Sequence, residues 1–300
     1  MVYDLCVCAV PRGIQRLDVY ITEGLGICTR NQLKQRIRDL KVNDTGAKLS
    51  RKIQAGDRLT FELEAPPELS VEAQDIPICI LFENADVAVI NKPQGMVVHP
   101  GAGNYSGTLA NALLYHVEEL SAESDRPGIV HRLDKETSGV IITAKHQDSL
   151  EYLSSQFRNK TTKKTYLAIV YGQPPSAQGR IENSLGRSRT DRKKFASVRT
   201  GGKRACTNYR VLASYKGYAF IVLEPETGRT HQLRVHMREL ECPIAGDPVY
   251  GSKSDKTQTL MLHAYRLRIK LPGAAGVSTF RAPLPMRFKQ HLRYLAKQSN

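Results

Sequence analysis

A segment rich in proline and acidic residues, at positions 64–77, divides the sequence into a short and a long part. Its three prolines disfavour both helix and sheet pairing, because proline lacks a backbone N–H. A chain of 300 residues is long enough to build more than one hydrophobic core. We therefore predict an N-terminal domain at residues 1–66, a linker at residues 67–77 and a larger domain at residues 78–300.

The charge of the chain indicates a polyanionic partner. Lys and Arg together number 44 against 29 Asp and Glu, which leaves a net charge of +15 at pH 7. Such an excess of positive charge is most often found in proteins that bind nucleic acid. Charge alone does not distinguish RNA from DNA.

The cysteines and the apolar segments indicate a compartment. Six cysteines lack the CxxC and Cys/His spacings of zinc sites, so we expect reduced thiols and no metal. Asp4 stands where a secretory signal carries positive charge, and the apolar run after it is short. No apolar stretch reaches the roughly 20 residues that a membrane-spanning helix needs. We therefore expect a cytoplasmic protein without a transmembrane segment.

One amphipathic pattern stands out in the short N-terminal part. Thr29 and Gln32 have the spacing of a helix capping box, and Leu33, Ile37 and Leu40 follow on one helical face. The pattern predicts a helix that starts near residue 30 and continues past residue 40. The other positions of this helix are basic, and the face that they form either binds phosphates or is simply exposed to solvent. These residues are Arg30, Lys34, Arg36, Arg38 and Lys41.

Residues 15–63 resemble the S-four type RNA-binding domain, also called the alpha-L motif. The resemblance covers the basic helix and the segment AGDRLTFEL that follows it. It implies that this domain binds structured RNA, with Arg30, Lys34 and Arg38 among the contacting residues.

In the longer part, strand-like and helix-like segments alternate without the regular repeat of a doubly wound sheet. This pattern predicts an α+β fold with a large mixed or antiparallel sheet. The predicted strands are residues 87–90, 139–144, 165–171, 207–214, 219–223 and 260–269. The predicted helices are residues 108–120, 148–158, 230–240 and 286–297.

The segment HRLDKETSG, at residues 131–139, is the clearest candidate for chemistry. It lies between two apolar strands and places Asp134 in a short polar turn that Gly139 closes. The cations Arg132 and Lys135 favour the ionised carboxylate that a nucleophile or a base requires. Taken alone, however, an Asp in such a turn is more often a backbone cap.

The complete HRLDKETSG segment resembles the signature of the RluA family of pseudouridine synthases. Further blocks that resemble this family follow in the family's order, including NKPQGMVVHPGAG, KKTYLAIVYG, TGRTHQLRVHM and PIAGDPVYG. The resemblance implies isomerisation of uridine to pseudouridine in RNA, without a cofactor. The base would leave the ribose through nitrogen 1 and return through carbon 5.

The same resemblance implies roles for individual residues. Asp134 would stabilise or capture the positive charge that develops on the sugar, as glycosidase carboxylates do. Arg229, of the TGRTHQ block, would pair with this carboxylate, or it merely ends a loop. Tyr166 would stack on the target base. Arg132 would enter the RNA when the uridine flips out, or it forms an intramolecular salt bridge, whereas His131 is expected to be structural.

A basic run between residues 187 and 204 contains eight Lys and Arg residues against one acid. Such a run is usually a solvated loop, but in a chain of net charge +15 it is also suited to tracking a phosphate backbone. We include Arg192, Lys193 and Lys194 of this run among the predicted RNA contacts.

Several alternatives remain at this point. Pairing of this catalytic domain with an S-four type domain resembles the RluD-like branch, which implies large-subunit (23S) ribosomal RNA as substrate, while relatives act on transfer RNA. A non-enzymatic RNA-binding or ribosome-assembly factor would need only the N-terminal domain and the basic run. A DNA-binding protein would show no dependence on RNA structure. A glycoside hydrolase would need a second carboxylate opposite Asp134. We expect a monomer.

Overall fold

The computed structural model describes residues 1–8, 15–28, 30–64, 71–101, 103–117, 120, 127–188, 191, 194–257 and 259–299. The chain forms two compact units, Met1–Leu69 and Ser70–Asn300. The linker predicted at residues 67–77 includes residues 67–70, which lie outside the described ranges.

The first unit is a small mixed α/β structure. Its strands are β1 (Val2–Cys6), β2 (Gln15–Arg16), β3 (Ile37–Val42), β4 (Thr45–Gly46), β5 (Lys52–Ile53) and β6 (Arg58–Leu63). Its helices are α1 (Leu17–Val19), which continues into a π-helical turn (Tyr20–Gly24), and α2 (Arg30–Arg36). The sheet order is β1-β6-β3-β4, with β2 and β5 as a separate pair. Its core contains the fully buried side chains of Leu17, Ile21, Leu33, Leu59 and Phe61.

The prediction of a helix that continues past residue 40 is wrong for the second half of that range. Helix α2 ends at Arg36, and the following residues form strand β3, which pairs antiparallel with β6. The apolar spacing of Ile37 and Leu40 is typical of a helix, but the pairing of this segment with strand β6 outweighs that local preference. Asn43 and Asp44, both at positive φ, then form the two-residue turn that connects β3 to β4. Thr29, of the predicted capping box, lies outside the described residues.

The second unit is built around one ten-stranded sheet. Its strands are β7 (Cys79–Glu83), β8 (Val87–Lys92), β9 (Ser138–Ala144), β10 (Lys163–Tyr171), β11 (Gln178–Arg187), β12 (Phe195–Ser197), β13 (Lys203–Tyr215), β14 (Tyr218–Pro225), β15 (Leu262–Lys270) and β16 (Val277–Arg281). The order is β12-β11-β13-β14-β10-β15-β9-β8-β7, with β16 also paired to β15. All pairs are antiparallel except β15 with β9. The predicted α+β class with a mixed, mainly antiparallel sheet is confirmed.

The described residues of this unit also form four helices: α3 (Leu109–His116), α4 (Gln147–Arg158), α5 (Gln232–Glu239) and α6 (Met286–Ser299). Each lies where a helix is predicted, although α3 and α5 are shorter than expected. Met237 of α5 and Phe288 of α6 pack on the central strand residues Ile169, Ile221 and Leu223, all fully buried. Burial of side chains of this size contributes about 1.5–3 kcal/mol each, so this layer is a main source of stability.

Three histidines predict a pH dependence of stability: His236 and His263, which are fully buried, and His131, which is half-buried. The Ile142 N–H donates to Nε2 of His131 at 3.1 Å, so this ring is neutral. Burial lowers the pKa of His131 to about 3 and the pKa values of His236 and His263 to about 4, below the usual 6.5. At a pH between these lowered pKa values and 6.5, the histidines are neutral in the folded protein and protonated in the unfolded chain, so unfolding takes up as many as about three protons. The unfolding free energy therefore falls as the pH drops from about 6.5 to about 4.

Urea unfolding at a series of pH values measures this dependence. The matched variant is His236→Gln, which keeps polar atoms near Thr207 and Asn183 but does not titrate. We expect the unfolding free energy of this variant to change less steeply with pH than that of the wild type. Near pH 5 the difference in slope should correspond to about one proton fewer taken up on unfolding. Identical slopes for the two proteins would contradict the prediction.

Candidate active site

The loop that carries Asp134 is tightly held by its neighbours. Asp134 precedes β9, and its carbonyl accepts the N–H of Thr137 at 3.0 Å. Gly139, at φ 118°, ends the loop where β9 runs beside β15, and a Cβ there would lie 2.2 Å from the carbonyl oxygen of Ala264. Only glycine fits this contact. The close approach of the two strands thus fixes the end of the loop.

A buried lysine that the sequence did not single out supports the same loop. Lys92 is fully buried at the end of β8, and its Nζ donates to the carbonyls of Pro93 and Met96, each at 2.8 Å, and of Lys135 at 3.2 Å. Burial lowers its pKa to about 7. The N–H of Gly95 also donates to the Lys135 carbonyl. The loop after β8 and the Asp134 loop are therefore tied together at one point.

Arg234 is the arginine beside the Asp134 carboxylate. It lies on α5, and one of its terminal nitrogens, Nη1, is 3.6 Å from Oδ2 of Asp134. Its Nε and Nη2 each donate to the carboxylate of Asp247 at 2.7 Å. Burial opposes the charge on both groups, but these bonds outweigh it, so the pKa of Arg234 is raised and that of Asp247 is lowered. Asp247 thus holds the guanidinium in place.

The predicted pairing of Arg229 with Asp134 is corrected by this arrangement. Nε of Arg229 donates instead to the backbone carbonyl of Arg204 at 3.1 Å. No ion pair joins Arg229 to Asp134 in the described part of the chain. Both arginines belong to the segment TGRTHQLR, but Arg229 precedes the helix and Arg234 lies in its first turn. Both side chains line the same cavity, but Arg234 is the one that forms an ion pair with Asp134.

His231 is a second side chain near the carboxylate that the sequence did not assign. It occupies the left-handed region at φ 57°, and its Nε2 lies 4.0 Å from Oδ2 of Asp134. Its Nδ1 is 2.8 Å from the hydroxyl of Tyr250, which accepts the N–H of Phe195 at 2.8 Å. Burial lowers the pKa of His231. The neutral ring with its proton on Nε2 satisfies both contacts, because Tyr250 then donates to Nδ1.

Tyr166 lies in the same cavity as Asp134. It follows a register shift in β10 and stands between Leu223 of β14 and Ala264 of β15. Burial and the nearby charge of Asp134 raise the pKa of its hydroxyl well above the usual range. The ring is therefore a neutral phenol. Its flat apolar surface and polar end suit contact with a nucleobase.

The cavity around these residues measures about 440 Å³, which is the size of a small-molecule site. Six basic residues and two acidic residues, Asp134 and Glu226, line it, so the lining is positively charged. The six are Arg132, Arg158, Lys160, Lys164, Arg229 and Arg234.

The other predicted RNA contacts have varied surroundings. Arg132 is exposed at the cavity, and Lys34 is exposed in the first unit. Arg30 pairs with the buried Asp18, and Arg38 pairs with Glu64 at 2.9 Å. Lys194 is 3.9 Å from Asp191, while Arg192 and Lys193 lie outside the described residues. Arg30 and Arg38 therefore already have acidic partners within the protein.

Among the described residues, no cluster of three His, Cys, Asp or Glu side chains could hold a metal ion. Within the same part of the chain, no helix combines the length and apolar character needed to cross a lipid bilayer.

Comparison with known proteins identifies the family. The family model for RNA pseudouridylate synthases matches residues 86–239. Ribosomal large subunit pseudouridine synthase D of Borreliella burgdorferi is 42% identical over 291 residues, which cover 93% of this chain and 89% of that protein. An uncharacterised RNA pseudouridine synthase of Bacillus subtilis is 38% identical, with coverage of 94% and 95%.

A solved structure shares the fold of the second unit. Human RNA Pseudouridylate Synthase Domain Containing 4 is similar with a TM-score of 0.58 and 30% identity. The similarity covers 73% of this chain and 93% of the human chain. The chain therefore belongs to the RNA pseudouridylate synthase family, as its resemblance to the RluA enzymes predicts, and it is an RNA pseudouridine synthase.

Proposed function

We propose that this enzyme converts specific uridines of large-subunit ribosomal RNA to pseudouridine, with Asp134 as the catalytic carboxylate. The observation that carries the proposal is the placement of Asp134 beside Arg234 and Tyr166 in one positively charged cavity. The names of the relatives from Borreliella burgdorferi and Neisseria meningitidis support large-subunit ribosomal RNA as the substrate.

The proposed reaction breaks the bond from ribose C1′ to uracil N1 and forms a bond from C1′ to C5. The C5 proton is lost and N1 gains a proton, so the product is an isomer of the substrate. Positive charge builds on the sugar as the first bond breaks, and an ionised carboxylate beside C1′ stabilises or captures it. Direct attack of Asp134 on C1′ and removal of a sugar proton to give a glycal both fit this site.

Arg234 takes the place that the sequence assigned to Arg229. As a positioning residue, it places a positive charge beside Asp134 and orients the carboxylate towards the sugar. Tyr166 is proposed to stack on the uracil while the base is detached. Because a paired base cannot reach Asp134, the uridine must flip out of its helix, and the exposed Arg132 is placed to occupy the gap.

The first unit is proposed to be the S-four type RNA-binding domain, at residues 1–66, followed by the linker at 67–77 and the catalytic domain at 78–300. Exposed Lys34 and the basic run that includes Lys194 support contacts with the phosphate backbone. A cytoplasmic location and a monomeric state are part of the same proposal.

The test is product mapping after incubation with unmodified large-subunit ribosomal RNA and, separately, with transfer RNA transcripts. We expect pseudouridine at discrete positions of the ribosomal RNA, detected by carbodiimide treatment and primer extension, with no added metal or cofactor. Product on transfer RNA alone would overturn the proposed substrate. No product on either RNA would overturn the proposed activity on free RNA.

A further inference from the structure

Lys164 has no role in the chemistry described above, yet its side chain faces the catalytic cavity. It lies on β10, two residues before Tyr166, and is half buried. A Cβ placed on Gly228 would lie 3.6 Å from its Nζ, so the ammonium sits over the loop that precedes α5. Burial and the charge of the neighbouring Arg229 lower the pKa of Lys164 to about 8. Two like charges are therefore held close together at one side of the cavity.

The nearby carboxylate of Glu226, which directly follows β14, does not neutralise this pair. In the described part of the chain, neither Lys164 nor Arg229 forms an ion pair with an acidic side chain. Glu226, which also lines the cavity, is bound by Arg180 at 2.6 Å and by Asn208 at 3.1 Å. Holding two cations together without an acid costs free energy, which binding of an anion would recover.

The geometry of Arg229 also suits the binding of an anion. Its Nε donates to the Arg204 carbonyl, which fixes one edge of the guanidinium. The two terminal nitrogens remain for a ligand, and two parallel N–H groups suit the oxygens of a phosphate. Arg229 thus has a clear use, although it does not pair with Asp134.

We infer that Lys164 and Arg229 form a subsite for one phosphodiester group that flanks the target uridine. This inference rests on the function proposed above, because the anion is taken from the RNA substrate. Phosphodiesters are the anions of an RNA strand, and a flipped nucleotide carries its flanking phosphates with it. The phosphate would then be held by Lys164 and Arg229, the sugar would face Asp134, and the base would meet Tyr166.

The experiment uses Lys164→Met and the full-length enzyme acting on a short RNA that carries the mapped uridine. The matched control is Lys163→Met, because Lys163 is exposed on the same strand, carries the same charge and does not line this cavity. We expect kcat/KM to fall by about 10- to 100-fold in Lys164→Met and to change little in Lys163→Met. Lys164→Arg, which keeps the charge, is expected to retain most of the rate.

Neutralising the phosphates that flank the target uridine, one at a time, distinguishes phosphate binding by Lys164 from a structural role of this residue. The wild type is expected to lose a similar factor when one flanking phosphate is replaced by methylphosphonate. Lys164→Met should lose nothing further on that RNA, because the interaction is already absent.

The wild-type result on these RNAs tests the subsite even if Lys164→Met does not fold. The subsite alone would be overturned if the wild type were equally active on the unmodified RNA and on every methylphosphonate RNA. It would also be overturned if Lys164→Met lost as much activity as the wild type when a flanking phosphate is replaced. A wild type that forms no pseudouridine on ribosomal or transfer RNA would overturn the proposed function and the subsite together.

Discussion

Replacing Asp134 with asparagine is expected to abolish pseudouridine formation, with a loss of at least about 1,000-fold in the single-turnover rate. The amide keeps the size of the side chain but removes the negative charge that stabilises or captures the sugar cation. The loop should remain in place, because its hydrogen bonds to Lys92 and Thr137 use backbone carbonyls. Product formed on the mapped RNA measures the effect.

RNA affinity is the control for this variant. Binding of Asp134→Asn to the same RNA should remain within a few fold of wild type, since phosphate contacts dominate the affinity. Turnover retained by Asp134→Asn would remove the carboxylate from the mechanism. Loss of both binding and turnover would instead indicate that the substitution disturbs the loop.

Replacing Arg234 with methionine is expected to lower both stability and activity. The substitution leaves Asp247, whose side chain is fully buried, without its charged partner. Removing one member of a buried ion pair costs about 3–5 kcal/mol of unfolding free energy. The rate should also fall by about 100-fold or more, because Asp134 loses the cation that faces it. Urea unfolding and single-turnover assays measure the two effects.

The double variant Arg234→Met/Asp247→Asn separates these two effects. Neutralising Asp247 removes the uncompensated buried charge, so a large part of the lost stability should return. Activity should stay low, because Asp134 still has no guanidinium beside it. An Arg234→Met protein as stable as wild type would refute the stability argument. Recovery of the rate in the double variant would refute the positioning role of Arg234.

Most of the large strands and helices of the second unit could be predicted because their apolar periodicity agrees with the packing. Strand β9 is buried at every position, and α5 lies inside the predicted range. The long strand β11 and the short or edge strands β7, β12 and β16 were missed, because few of their residues are buried and pairing alone defines them. In the first unit, β3 has helical apolar spacing, so only the position of its partner β6 decides its conformation.

The candidate site shows the same division between local and tertiary information. Asp134 and Tyr166 were predicted, and the fold places them in one cavity. The sequence could not choose between Arg229 and Arg234, since this depends on where α5 begins. A usable signal existed: Arg234 stands directly between the apolar residues Leu233 and Val235 in the sequence, as a buried, paired arginine can.

Lys92 was missed for a related reason. It ends an otherwise apolar strand and precedes a proline, which is a pattern that a surface lysine also gives. Its three carbonyl partners come from two loops that are separated by about forty residues in sequence, and only the folded chain brings them together.

The central position of β15 has a consequence for the timing of synthesis. This strand lies between β10, which carries Tyr166, and β9, which follows Asp134, and no other strand in the described part of the sheet neighbours both. A nascent chain that has not yet emerged up to Lys270 therefore contains both residues but lacks the strand that aligns them. The strands that carry Tyr166 and follow Asp134 can therefore be aligned in the sheet only after β15 has left the ribosome and paired with both.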